Sequence, residues 1–333
     1  NNTRQNLDAN FTLVSELNES LDDYDDHANE TANSEKGWIP IGSSTAPFDG
    51  SLIGANLTIS GLYIDRPNED EVGLFGMTSQ TAMITDITLD GVNITGNQRV
   101  GALAGEFNGD EIVNASASGQ VSGSREVGGL VGTVAEGNIT DSTASGAVNA
   151  TVSFAGGLVG QIERGNVTDS TASGAVNADG DTAGGLVGEF ITTGATGTYS
   201  IANSSASGAV NAGRDGGGLV GVTRKSIIRN SSASGKIVVD DGKAGGLVSE
   251  MLDGSDVVGS SATGDVSATE SYVGGLVGRV ADGGGSPPSI KDSDASGEVT
   301  VTGGSGFTSA EYIGGLVGAV ARGSVTDSHA SGQ

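Results

Sequence analysis

Gly156-Gly157-Leu158-Val159-Gly160 is the stretch on which the reading of this chain turns, because it returns nine times, intact or slightly altered. The leucines of the copies are Leu74, Leu103, Leu130, Leu158, Leu186, Leu219, Leu247, Leu276 and Leu316, spaced 29, 27, 28, 28, 33, 28, 29 and 40 residues apart. A period in this range means stacked supersecondary units, so the fold question reduces to the shape of one unit.

Outward from the pentad each unit has two halves. The first is the pentad with an alternating tail, as in Leu130, Gly132 and Val134. The second starts nine residues after the leucine in most copies, at Ile112, Ile139, Val167, Ile228 and Val325. In one copy Ser142, Ala144, Gly146 and Val148 alternate with period two, while Ile139 stands three residues before Ser142. That slip in phase predicts a corner at Thr140 and Asp141 with a strand on either side. Helix is disfavoured, since each glycine costs about 1 kcal/mol there relative to alanine. Leucine-rich spacing is missing, and propeller blades are longer, about 40 to 50 residues.

The expected fold is therefore all-β: a parallel β-helix, or β-solenoid, of about 28 residues per coil with nine pentad coils. Crossover chirality favours a right-handed one. Residues 1–71 are irregular and read as a cap on the array, with Pro40 demoting the run around Trp38 to an edge. Residues 72–333 read as one continuous domain, and the chain as a trimmed fragment ending inside a repeat. Loops are expected at Thr192–Gly197, Gly283–Pro288 and Gly303–Gly306, where the intervals lengthen.

Composition agrees with a thin core. Aromatic residues make up 4% of the chain, while glycine numbers 58. Net charge is -26, from 41 acids against 15 bases. That excludes the basic footprint needed for nucleic acid or anionic membranes. It suits concentrated salt, where screening shortens self-repulsion to about 3 Å at 1 M. No apolar run approaches the roughly 20 residues of a membrane span, and without cysteine the chain has no disulfide.

Twelve of the asparagines sit in Asn-x-Ser/Thr sequons: Asn1, Asn10, Asn18, Asn29, Asn56, Asn93, Asn114, Asn138, Asn149, Asn166, Asn203 and Asn230. This density points to an exported N-glycoprotein. Catalytic signals are weak. A His-Glu-x-x-His zinc site is impossible with only His27 and His329, and acidic pairs for glycoside hydrolysis arise by accident among so many carboxylates. A pentad copied nine times reads as packing rather than a phosphate cradle. No cofactor is expected. Loop calcium is the weak metal candidate, at Asp22, Asp23, Asp25, Asp26, Asp179, Asp181, Asp240 and Asp241.

One column carries a sharper argument. The predicted corner is Asp86, Asn114, Asp141, Asp169, Asn203, Asn230, Gly259, Asp292 and Asp327 in successive units. Stacked aspartates near 4.8 Å would repel by about 3–4 kcal/mol at an effective dielectric of 20, and by about 1 kcal/mol in water. The column is therefore expected to face solvent. Asn166 is expected to carry a glycan and nothing else.

Gly-Gly-Leu-Val-Gly followed by Ile-x-Asp/Asn-Ser-x-Ala-Ser-Gly-x-Val resembles the GLUG-motif repeats of bacterial and archaeal surface proteins. The resemblance spans residues 72–333, with Trp38-Ile39-Pro40-Ile41-Gly42 as a lead-in. It departs from the motif at Phe75, at Ala104 and at Ser249, which stands for the last glycine. Such repeats occur in hemagglutinin-like adhesins and in the non-catalytic part of IgA-specific metallopeptidases, so the resemblance implies an extracellular β-helical scaffold. The function expected is a non-enzymatic cell-surface adhesin, stalk or self-assembling filament of a salt-adapted, haloarchaeal-type microbe. Its partners would be further coils or copies end to end, or surface glycans and proteins. The alternative is a glycan-binding or accessory module of a larger secreted enzyme, such as a surface peptidase.

Overall fold

The computed structural model describes residues 3–21, 24–192, 197–269, 272–281, 284–302 and 312–332. It is an all-β parallel solenoid of about eight turns with about 29 residues per turn. The nine predicted pentads bound those turns. One representative coil runs through five short strands, Val159–Ile162, Val167–Thr168, Thr171–Ala172, Val176–Ala178 and Thr182–Gly184. Each pairs in parallel with its counterparts before and after, as in Val131↔Val159↔Val187 and Val148↔Val176↔Val210.

From Leu103 onward the pentad leucines form a single ladder, while the N–H of Leu74 donates to the Ala102 carbonyl. The N–H of Leu130 donates to the carbonyl of Leu158 at 2.9 Å, that of Leu158 to Leu186 at 2.9 Å, and so on to Leu276 and Leu316 at 2.8 Å. Leu158, Val159 and Ile162 are fully buried with Val167, Ala172 and Val176. Leu, Val, Ile and Ala fill most of this thin interior, and Phe48, Phe75, Phe107, Phe190 and Met251 are the larger side chains buried with them. The pentad glycines answer crowding rather than backbone strain. A Cβ on Gly157 would meet the Gly185 carbonyl oxygen of the next coil at 2.1 Å, and one on Gly156 the Val159 oxygen at 1.9 Å. The serine at position 249 is accommodated: it is fully buried, and its hydroxyl donates to the Gly221 carbonyl at 2.8 Å.

Array register reaches N-terminal of residue 72. The strand Ser51–Ser60 already pairs in parallel with Met83–Thr95, and Phe11 stacks on Leu52. The cap closes with one single-turn helix, Asp25–Ala28, a turn in which Asn33, Ser34 and Glu35 have left-handed backbones, and Trp38, whose indole N–H donates to the Leu74 carbonyl at 3.0 Å. Among the predicted loops, Thr193–Thr196, Gly283 and Gly303–Gly306 lie outside the described residues.

Candidate functional site

The corner column is where the slip in alternation placed it. Asp86, Asn114, Asp141, Asp169, Asn203, Asn230, Asp292 and Asp327 all have left-handed backbones, with φ between 50° and 56°, and Gly259 has φ 59°. Aspartate and asparagine tolerate this region better than other side chains. The column faces solvent from Asn114 onward, with Asp86 half-buried and hydrogen-bonded by Asn114 Nδ2 at 2.8 Å.

Immediately inside it lies a ladder whose role the alternation did not reveal. Ser142, Ser170, Ser204, Ser231, Ser260 and Ser293 are buried. The left-handed residue before each serine turns the chain away from the regular strand ladder, and the hydroxyl closes the gap. Ser170 Oγ donates to the Thr168 carbonyl at 2.8 Å and accepts the backbone N–H of Ser142 at 3.1 Å. Ser204 does the same for Ala202 and Ser170, and the series runs on to Ser328.

The sequons divide by what their amides do. Asn56, Asn93, Asn114, Asn203 and Asn230 are exposed on the array, as is Asn10 near the start. Asn18 and Asn29, half-buried, accept the hydroxyls of Ser20 and Thr31 from their own sequons. Asn138, Asn149 and Asn166 are half-buried in ladders. Asn166 Nδ2 donates to Asn138 Oδ1 at 2.8 Å and its Oδ1 accepts the Ser200 N–H at 2.9 Å, so Asn166 bridges three coils instead of standing free. Asn177 Nδ2 donates to Asn149 Oδ1 at 2.9 Å. Asn1 lies outside the described residues.

Of the calcium candidates, Asp22 and Asp23 lie outside the described residues, and the Asp25 side chain does too. Asp26, Asp179, Asp240 and Asp241 are exposed, and Asp181 pairs with Arg214 at 3.6 Å. Among the described residues no group of three or more His, Cys, Asp or Glu could hold a metal ion.

Two surface features concentrate chemistry. The first is a polar cleft of about 440 Å³ whose wall includes Asp110, Glu136, Asn138, Arg164, Asn166 and Tyr199. Arg164 stands 3.5 Å from Glu136. The second is a pair of columns flanking the pentads, four residues before and three residues after each leucine. Glycines such as Gly132 let these strands touch, since a Cβ there would meet the Val100 nitrogen at 2.4 Å. The two columns therefore meet across the fold. Arg99 Nε is 3.1 Å from Glu106, close enough for an ion pair but not aligned for a hydrogen bond. Glu126 shares this strip with Thr133, and one of its carboxylate oxygens is buried without a partner, as is the Thr133 hydroxyl. Burial pushes the carboxyls of Glu106, Glu126 and Glu189 above the usual carboxylate range, against the opposing pull of Arg99 on the first two and of the Gln161 amide on Glu189. Further along, Lys243 lies against Asp215 and Glu250, and Arg279 sits 5.1 Å over the Tyr272 ring. Nothing in the sequence pattern announces these columns, because their residue types change from coil to coil except at Tyr272 and Tyr312, whose rings stack 5.0 Å apart.

Comparison with known proteins picks out the repeats. The GLUG motif model matches residues 123–149, 155–177, 269–302 and 309–333. Halomucin of Haloquadratum walsbyi is 39% identical over 93 residues, 27% of this chain and 1% of that protein. A protein named "Putative Gly-rich membrane protein" from Evansella cellulosilytica is 34% identical over 76 residues, 22% of this chain and 9% of that protein. The chain thus spans only a small fraction of these relatives. A crystal structure titled as a putative immunoglobulin A1 protease from Bacteroides ovatus aligns over 96% of this chain and 77% of its own, with 16% identity and a TM-score of 0.39. No helix among the described residues is long and apolar enough to cross a membrane.

Proposed function

We propose that this array of GLUG motif repeats is a non-catalytic extracellular scaffold, a stiff segment of a cell-surface stalk, adhesin or filament of a salt-adapted microbe. The observation that carries the reading is the uninterrupted stacking of leucine and serine ladders beneath an outer corner of carboxylates and amides. Every coil spends its regular positions on joining the next coil, and the variable positions are left to the surface. With a net charge of -26, the rod repels itself in dilute buffer and gains from screening. The name halomucin on a partial relative points the same way. The corner sequons Asn114, Asn203 and Asn230, with Asn56, whose left-handed backbone (φ 58°) and hydrogen bond from Asn114 Nδ2 at 3.3 Å extend the same column, would carry glycans along one edge.

Thermal unfolding against salt tests this reading. The midpoint should climb steadily from dilute buffer to molar salt. A flat dependence removes the salt-adapted part, and electron micrographs of isolated short particles at high salt, without end-to-end association, remove the filament version.

A second reading, a glycan-binding accessory module, is favoured by the polar cleft beside Tyr199. An aromatic ring with amides, an arginine and carboxylates is a set able to bind sugar hydroxyls. A glycan array without hits would count against it.

A further inference from the structure

We propose that Asp215 and Lys243 become joined by an isopeptide bond that staples two adjacent coils, with Glu250 relaying the protons. The inference is independent of the scaffold reading and stands on the geometry of the column before the pentads. Lys243 Nζ lies 3.1 and 3.0 Å from the two carboxylate oxygens of Asp215, which places it opposite the carboxyl carbon. With both oxygens at this distance, the carboxyl carbon between them lies within about 3.5 Å of the amine, the separation at which held groups react as one molecule. The backbone N–H of Lys243 also donates to Asp215 Oδ1, at 3.1 Å. This donor fixes the carboxyl group and supports the negative charge that develops on its oxygen when the carbon is attacked. Glu250 Oε2 is 3.5 Å from the amine, while its other oxygen is held by Arg279 Nη1 at 3.0 Å.

The surroundings hold these groups together and limit access of water. The side chains of Lys243, Asp215 and Glu250 are 16%, 10% and 12% exposed. Gly242, at φ 128°, brings the chain in: a Cβ there would meet the Arg214 carbonyl oxygen at 2.4 Å. Tyr272 of the following coil stands in register with Lys243. A small cavity of about 190 Å³, lined in part by Asp215, Lys243 and Tyr272, leaves an exit for the product water.

The reaction balances without a cofactor. The ammonium of Lys243 gives a proton through Glu250 to the Asp215 carboxylate. The freed amine attacks the carboxyl carbon, forming the C–N bond. A second proton passes from that nitrogen through Glu250 to the departing hydroxyl, and the C–O bond breaks. One amide and one water replace one ammonium and one carboxylate, with no change of oxidation state.

Its position in the array makes this lysine distinct. Arg99 occupies the same column and meets Glu71 and Glu106, but a guanidinium is not a usable amine nucleophile. Lys36 and Lys291, whose own side chains are more than half exposed, pair with Glu69 and Asp292. Two coils joined covalently, in a chain without cysteine, would resist being drawn apart along the rod.

Mass spectrometry of the full 333-residue chain, produced in a host that adds no N-glycans, decides the matter. The intact mass should fall short of the sequence mass by one water, and trypsin should release the peptide from Asp215 to Arg224 still attached to the one from Ile237 to Arg279, uncleaved at Lys243. Lys243→Arg and Glu250→Gln should restore the full mass, while Lys225→Arg should not. A full-mass wild type whose two peptides separate, with cleavage after Lys243, overturns the proposal. Asp215-Gly216 can also lose water as a cyclic imide. A water loss that persists in Lys243→Arg, or is confined to the peptide from Asp215 to Arg224, therefore overturns it as well.

Discussion

Asp169 and Ser170 are neighbours in sequence and opposites in circumstance. Asp169 is exposed with a left-handed backbone, and Ser170 is fully buried with its hydroxyl bonded in two directions, to the Thr168 carbonyl and the Ser142 N–H. Both positions recur down the rod, the inner one as serine from Ser142 to Ser328 and the corner as Asp, Asn or Gly. What separates them is the neighbour each one answers to, since the serine column is fitted to backbone and the aspartate column to water. Recurrence alone therefore does not measure structural weight, and substitutions on the two sides should have unequal effects.

The inward side should fail hardest at the pentad. Leu158→Asp places an uncompensated charge where leucine is fully buried, at an expected loss of about 4 kcal/mol or more. Denaturant unfolding at molar salt measures this, and a loss below about 1 kcal/mol would mean that the coil can open locally to water.

Ser204→Ala should come next. It leaves the buried N–H of Ser170 without its acceptor, while the Ala202 carbonyl keeps the bond from Asp169. The expected loss is about 1–3 kcal/mol, the cost of one orphaned buried donor. If it matched the small effect of a corner substitution, the serine ladder would be a passive consequence of small residues rather than a replacement for missing backbone bonds. Asn166→Gln belongs with this inward class, because it displaces an amide bridging Asn138 and Ser200, and it should lower stability by about 1 kcal/mol even without a glycan.

Outward, the sign should reverse. Asp169→Gly relieves a left-handed aspartate and removes one charge from the column, so it should stabilise by about 0.5–1 kcal/mol. The gain should shrink with salt, because the neighbouring Asp141 is exposed and its repulsion is screened. A loss at every salt concentration would show that the corner binds cations through its carboxylates.

Much of this contrast was legible beforehand. The three-residue step from Ile139 to Ser142 disclosed the corner, and stacked aspartates could be placed in water by their mutual repulsion alone. The serine ladder was hidden because serine at every second place among alanine and glycine reads only as small. Asn166 misled for a related reason: a sequon is local, but a ladder exists only once coils from distant sequence are stacked. The flanking columns were least legible of all. Arg99, Glu126, Phe154, Thr182, Asp215, Lys243 and Tyr272 share no residue type, and their relation appears only in register.

Glu126 in that column gives the smallest effect and the one with a pH signature. Burial raises its carboxyl in the folded chain, so between the ordinary carboxylate range and that raised value the folded state binds more protons than the unfolded one. Stability from this group is therefore greatest in acid and falls as pH rises through the window. Glu126→Gln removes the charge while keeping the shape, so it should raise the unfolding midpoint at neutral pH, and the gain should vanish below the ordinary carboxylate range. A gain that stayed constant with pH would trace instead to altered packing beside Thr133. A loss at neutral pH would mean that attraction from Arg99 and Arg125 outweighs the burial of the carboxylate, reversing the balance read from the structure.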